Sequence, residues 1–224
     1  MSDRTQDRLP EALREVDDLK QEVARLKIQL RQSFRQIESL MVDGLTGIYN
    51  RAGLNLVLDQ TLKSDTATII YIDLDKFKPI NDTYEHDAGD EALKQVGQLL
   101  NENIKSDTDI VALLEKQHGL SSKKKSQKPI NRPTDAMQGL NTRIGGDEFV
   151  IALDGVTEQN AQSVLDRIMN AFEGLNFNWS DTNIKIEASF GMATYNKGES
   201  FEAAKARADK SMYEQKRQKG PSRR

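Results

Sequence analysis

Two short acidic stretches carry the residue types and spacings that chemistry on phosphates needs. The first, Asp73-Leu74-Asp75, closes the run from Ala67 to Asp75, which is nearly continuously apolar and rich in β-branched residues. That pattern predicts a central strand covered on both faces. A carboxylate emerging where such a strand ends is poorly solvated unless it is paired or metal-bound. Alternate residues share one face of a strand, so Asp73 and Asp75 can converge on one hard cation. Strand-end aspartates also cap following helices, and the spacing alone leaves both roles open. The second stretch is Gly145-Gly146-Asp147-Glu148-Phe149, lying between Thr142–Ile144 and Phe149–Leu153. It predicts a hairpin whose glycines allow positive φ and keep side chains out of a ligand's way, although its acidic residues equally suit a solvent-facing turn. With the hairpin beside the strand, Asp73 and Asp147 form a carboxylate pair without histidine or cysteine. Such a donor set favours magnesium or manganese acting on phosphate oxygens.

A third group follows the acidic strand end: Phe77-Lys78-Pro79-Ile80-Asn81 and His86-Asp87-Ala88-Gly89-Asp90. Lys78 is placed to meet a triphosphate carried by the metal. Asn81 and Asp90 suit a base edge, because a carboxylate accepts from the N1–H and exocyclic amine of guanine and adenine offers no such pair of donors. A lone histidine such as His86 commonly serves as a structural hydrogen-bonding residue. Asp90 also has the form of an N-cap for the helix predicted from about Gly89 to Asn103.

These residues need a frame. Ala52–Leu62 reads as a short helix, Glu158–Phe172 as another, Asn183–Tyr195 as a strand pair and Phe201 to about Arg217 as a last helix. Helices alternating with strands and hairpins predict an α+β fold, a sheet with helices packed on it. Ahead of this body runs a heptad pattern: Leu9, Val16, Val23, Leu30 and Ile37 at position a, with Ala12, Leu19, Leu26, Ser33 and Leu40 at d. Glu15 and Glu22 fall at g and Lys20 and Lys27 at e, the arrangement for charge pairs between two parallel helices. Residues 1–42 therefore read as a coiled-coil dimerisation helix and 43–224 as the catalytic domain. A homodimer and a regulatory protein grasping the coil are the expected partners.

Composition narrows the classes. The chain has 224 residues, a net charge of −3 and no cysteine, so disulfides and thiolate metal sites are excluded. A charge near zero argues against a general nucleic-acid surface, and no DNA or RNA partner is expected. No apolar run is long enough for a membrane span. The charged opening is unlike a secretory signal, which gives the expectation of a cytoplasmic protein. Residues 121–133 hold five basic residues and no acidic one, the texture of a solvated loop.

Taken together the motifs resemble the GGDEF-domain family, the diguanylate cyclases. Asp43-x-Leu45-Thr46-x-x-x-Asn50-Arg51 is similar to its opening motif, and Asp73-x-Asp75-x-Phe77-Lys78 with Asn81-Asp82 to its metal and substrate segment. His86-x-x-Gly89-Asp90 resembles its guanine turn, and Gly145–Phe149 its signature. Ser189-Phe190-Gly191 and Ala208-Asp209-x-x-Met212-Tyr213-x-x-Lys216 resemble its closing motifs. The resemblance implies a palm-like nucleotidyl-cyclase domain, with a mostly antiparallel central sheet flanked by helices. It also implies condensation of two GTP molecules into cyclic di-GMP with release of two pyrophosphates. By the same resemblance, Asp73 and Asp147 bind Mg²⁺ (or Mn²⁺) through side chains and Leu74 through its carbonyl. Asn81 and Asp90 read guanine with His86 nearby, Lys78 and Lys216 neutralise phosphates, and Asp147 helps deprotonate the attacking 3′-hydroxyl. The alternative within the family is a non-catalytic module that binds GTP or a partner protein.

Four departures stand out. Glu85 occupies the position of a usual glycine. The Arg-x-x-Asp pair of product-inhibited members corresponds to Ala136 and Gly139. An insertion is expected at about 106–138. The glycine-arginine ending is altered, Gly220 being followed by Pro221.

Overall fold

The structure, a computed structural model, describes residues 8–60, 62–105, 119 and 137–218, and within these the side chains of 13–59, 62–104, 119 and 139–214. In chain order the elements are α1 (Arg8–Leu40), β1 (Tyr49–Asn50), α2 (Arg51–Gln60), β2 (Thr66–Asp75), α3 (Phe77–Asn103), β3 (Ile104–Lys105), β4 (Met137–Gln138), β5 (Leu140–Gly145), β6 (Glu148–Asp154), α4 (Glu158–Glu173), β7 (Asn176–Trp179), β8 (Thr182–Lys185), β9 (Glu187–Asn196) and α5 (Phe201–Gln218). The insertion expected at about 106–138 lies outside the described residues except for Gly119 and the backbone of β4. β4 pairs in parallel with β3, which brings the two ends of that segment together.

Five strands form one sheet in the order β1-β5-β6-β2-β9; only the β1–β5 pair is parallel. The run read as a buried strand is β2, and its apolar residues alternate between two cores. Ile70, Ile72 and Leu74 join Phe149 and Ile151 of β6 beneath α3 and α4. Ala67, Ile69 and Tyr71 join Val150 and the α5 residues Ala204, Ala208 and Met212 on the other face. Burying an isoleucine fully, as at Ile69, Ile70 and Ile72, contributes roughly 1.5–3 kcal/mol each. This alternation decides which face each acidic residue takes: Asp73 follows Tyr71, and Leu74 turns to the opposite side.

The helices form for local reasons. α4 starts at Thr157, whose hydroxyl accepts from the Asn160 N–H at 3.4 Å, and buries the stripe Ala161, Val164, Leu165, Ile168 and Phe172. β9 and α5 approach closely through Gly191, where a Cβ would stand 2.0 Å from the Ala208 carbonyl oxygen. This contact explains both a glycine in the first closing motif and an alanine in the second.

Two expectations need correction. The strand pair read across Asn183–Tyr195 is two separate elements: β8 pairs with β7 in a small hairpin, while β9 pairs with β2 along ten residues. The helix expected from Gly89 begins twelve residues earlier, at Phe77. Asp90 therefore lies inside α3 and caps nothing. Pro79 and the polar run after it read as turn, yet proline is tolerated in a first helical turn.

α1 is a unit apart from the body that begins at residue 40. On it Val16, Leu19, Val23, Leu26, Ile37 and Leu40 are exposed, which leaves an apolar seam in water at the positions the heptad marks. Leu9 and Ala12 fall outside the residues with described side chains. Among the described residues, no helix is long and apolar enough to cross a membrane.

Candidate active site

The ends of β2 and β6 bring the two acidic stretches together. Asp73 stands opposite Glu148 in the antiparallel register, and the Leu74 N–H donates to the Asp147 backbone carbonyl at 3.2 Å. The hairpin turns through Gly146, at φ 41°, and Asp147. Nothing lies within 4 Å of where a Cβ on Gly145 or Gly146 would be, so the space above the turn is open to a ligand. Asp73 and Asp147 are both half-buried. The donors gathered here are carboxylate and carbonyl oxygens, a set that fits Mg²⁺ or Mn²⁺ and lacks the imidazole or thiolate that softer metals prefer. Asp75 is otherwise engaged: the Ser189 hydroxyl lies 2.8 and 2.9 Å from its two oxygens.

The hairpin is held from below by a residue that sequence reasoning missed. Arg143 donates through Nε to the Gly146 carbonyl at 2.9 Å and through Nη1 to both oxygens of Asp43, at 3.3 and 3.2 Å. Asp43 in turn accepts from the Thr46 N–H at 2.9 Å and hydroxyl at 2.7 Å. The opening motif is thus a clamp on the turn. Burial opposes ionisation of Asp43, but the two Thr46 hydrogen bonds and the Arg143 charge outweigh it and hold the carboxyl below its ordinary value. A carboxyl lowered on folding stabilises above its unfolded pKa and ceases to as pH falls through the folded value. Asp43→Asn is therefore expected to cost about 1–2 kcal/mol at pH 7, and the urea midpoints of variant and wild type should converge as the pH approaches 3. A gap that widened in acid would contradict the assignment.

Asn50 and Arg51 complete the opening motif. The Asn50 side-chain oxygen accepts from the Ala52 and Gly53 N–H groups at 2.9 and 3.1 Å, capping α2, while its amide donates to the Leu40 carbonyl at 2.7 Å. Arg51 forms an ion pair with Glu202.

On the other side of the strand end, α3 is two helical halves joined at Glu85, whose φ of 71° and ψ of 169° fall in a region natural to glycine. The bend folds Asn81 against Gly89: a Cβ on Gly89 would stand 1.8 Å from the Asn81 Oδ1. Only glycine fits there, and the Asn81 carboxamide is thereby set against the backbone next to Asp90. His86 and Asp90 are exposed, as is Lys78 in the first turn of α3. Lys216 lies on α5, and its side chain is outside those described. Glu85 thus takes the glycine conformation without the glycine, at a cost of about 1–3 kcal/mol. Glu85→Gly is expected to raise the melting temperature by about 2–4 °C after allowing for the greater freedom of glycine in the unfolded chain. Calorimetry showing a lower melting temperature would contradict this.

Comparison with known proteins follows the same lines. The family model for "Diguanylate cyclase, GGDEF domain" matches residues 40–118 and 128–222. Diguanylate cyclase A of Treponema denticola is 33% identical over 155 residues, covering 69% of this chain and 33% of that protein. The response regulator PleD of Caulobacter vibrioides is 29% identical over 188 residues, covering 80% and 35%. The chain spans about a third of the length of these relatives. Among solved structures, the coiled coil and GGDEF domain of DgcB from Caulobacter crescentus, in complex with c-di-GMP, superposes with a TM-score of 0.59 at 21% identity, covering 96% of this chain and 95% of that one. The diguanylate cyclase SiaD of Pseudomonas aeruginosa, in complex with its activator SiaC, superposes with a TM-score of 0.61 at 22% identity, covering 96% and 75%. At these identities the two structures speak for the fold.

Proposed function

Because the chain belongs to the GGDEF-domain family of diguanylate cyclases, we propose that it condenses two GTP molecules into cyclic di-GMP. In each of two steps a 3′-oxygen forms a bond to the α-phosphorus of the other nucleotide, the bond from that phosphorus to the β-phosphate bridge breaks, and pyrophosphate leaves. The observation that carries the proposal is the junction of β2 and β6, where Asp73, Leu74 and Asp147 meet at one edge of the sheet. Asp73, Asp147 and the Leu74 carbonyl hold Mg²⁺ or Mn²⁺, which when bound supplies charge neutralisation on the phosphates. Lys78 and Lys216 add positive charge where the triphosphate lies, and Asp147 accepts the proton of the attacking hydroxyl. Asn81 and Asp90 take the guanine edge beside His86.

Each domain holds one GTP, so two must face one another. Residues 1–42 supply this as a parallel coiled-coil dimer through the exposed seam of α1, and 43–224 form the cyclase domain with an insertion at about 106–138. The same helix offers a partner protein a place to act, as the complex of SiaD with its activator suggests. The location is the cytoplasm, where GTP is supplied. Product does not inhibit through the Arg-x-x-Asp route: Ala136 lies outside the described residues, and a Cβ on Gly139 would stand 2.7 Å from Leu153 and 2.9 Å from Ile104, which leaves no room for an aspartate. Incubating the purified protein with Mg²⁺ and GTP, with and without ATP, and identifying the product by mass spectrometry tests the proposal. Cyclic di-GMP is expected in both mixtures; GTP recovered intact would leave a binding module, and a mixed guanine-adenine product would contradict the role of Asp90.

A further inference from the structure

One side-chain network at the same strand ends has no part in the assignments above. Glu148 follows Asp147 in sequence and faces Asp73 across the sheet, so a third carboxylate stands at the site. Like charges directly opposite one another in a sheet repel, and a carboxylate in that place is a natural additional ligand for a divalent cation. Both of its oxygens are taken up elsewhere. Lys205, on α5, donates to Oε1 at 2.9 Å and lies 3.0 Å from Oε2, and the Tyr71 hydroxyl donates to Oε1. The Lys205 ammonium also sits 5.1 Å from the centre of the Tyr71 ring. The Lys205 and Glu148 side chains are 21% and 33% exposed, so the pair is shielded from water and its bonds are charge-assisted. Three elements, β2, β6 and α5, meet at this one carboxylate.

We propose that Lys205 is a positioning residue which, with Tyr71, holds Glu148 out of the cation's ligand shell and so restricts the site to Asp73, Asp147 and the Leu74 carbonyl. The inference rests on the cation site of the cyclase assigned above. A third carboxylate would bind the cation more tightly and occupy a coordination position that a phosphate oxygen needs. Lys205 acts through Glu148 and need not touch the nucleotide.

The test uses Mn²⁺ alone with the nucleotide-free full chain, bound ion being read from loss of the free-ion EPR signal. Lys205→Met frees Glu148 and is expected to tighten Mn²⁺ binding roughly tenfold, in line with the effect of ligand charge on affinity. Lys205→Gln should shift it in the same direction and carries the test if Lys205→Met melts early. Lys205→Arg should keep the wild-type affinity, and Lys205→Met with Glu148→Gln should return to it, since no free carboxylate remains. In assays of cyclic di-GMP formation, Lys205→Met should lower kcat while lowering the Mg²⁺ concentration needed for half-activation, a split that loss of structure alone would not give. Mn²⁺ binding that is unchanged or weaker in both Lys205→Met and Lys205→Gln overturns the proposal. Asp73→Asn and Asp147→Asn separate the two levels: if they remove Mn²⁺ binding while the Lys205 variants fail to tighten it, only the positioning role falls. If they leave binding untouched, the cation site falls and the positioning role with it.

Discussion

Asp147→Ala is expected to lower the rate of cyclic di-GMP formation by about 10³-fold or more while leaving the fold intact. The size follows from what is lost. A divalent ion on the reacting phosphates contributes several kcal/mol of charge stabilisation, and each 1.36 kcal/mol is a factor of ten in rate. Asp147 supplies one of only two carboxylates assigned to the ion and is also the proposed acceptor of the 3′-hydroxyl proton, so truncation removes both contributions. The fold should tolerate it, because Asp147 lies at a hairpin tip that is anchored by its backbone: its carbonyl accepts from Leu74, and Arg143 holds the Gly146 carbonyl. Far-ultraviolet circular dichroism and the melting temperature should stay near wild type. Substantial product from Asp147→Ala would mean that the acidic hairpin is not the reacting centre.

Deleting residues 1–40 is expected to cut activity by about 10²-fold or more at micromolar protein, and to make specific activity rise with protein concentration. The chemistry needs two nucleotides on two domains. Tethering partners raises their effective concentration to the millimolar range, whereas free domains at micromolar concentration meet far less often. The full chain should show specific activity independent of dilution across the range where its coil stays paired. The seam of Val16, Leu19, Val23, Leu26, Ile37 and Leu40, exposed on α1, is the surface such pairing would cover. Sedimentation of the full chain and of the truncated protein gives the matching reading: dimer for the first and monomer for the second. A truncated protein that kept full activity at high dilution would remove the coil from the mechanism.

How far the residues announce this structure depends on the range over which each acts. β2 was plain from its own composition, because a strand buried on both faces has no room for polar alternation. The hairpin was equally plain, since Gly145 and Gly146 are turn chemistry within five residues of the acidic pair. What stayed hidden is tertiary. Arg143 is an unremarkable cation in a strand until the fold sets it beside Asp43, a hundred residues earlier. Lys205 reads as one charge of a basic tail until α5 lays it on Tyr71 and Glu148. The first half of α3 was missed because Pro79 and its polar neighbours have turn composition, and the helix there is imposed by packing rather than propensity. Glu85 was visible as a departure from glycine, but its positive φ belongs to the bend and not to the residue. The split of β8 from β9 turns on which strand each one pairs with, a choice that no local pattern encodes.

The central claim is that the two acidic stretches share one divalent ion against a guanosine triphosphate. Crystals grown with Mg²⁺ and a GTP analogue carrying methylene at the α,β-bridge, which cannot release pyrophosphate, test it directly. The expected density shows an ion bound by the carboxylates of Asp73 and Asp147 and by the Leu74 carbonyl, touching phosphate oxygens, with guanine against Asn81 and Asp90. Nucleotide bound with Asp73 and Asp147 too far apart to reach a common ion, or guanine lodged away from Asn81 and Asp90, would contradict it.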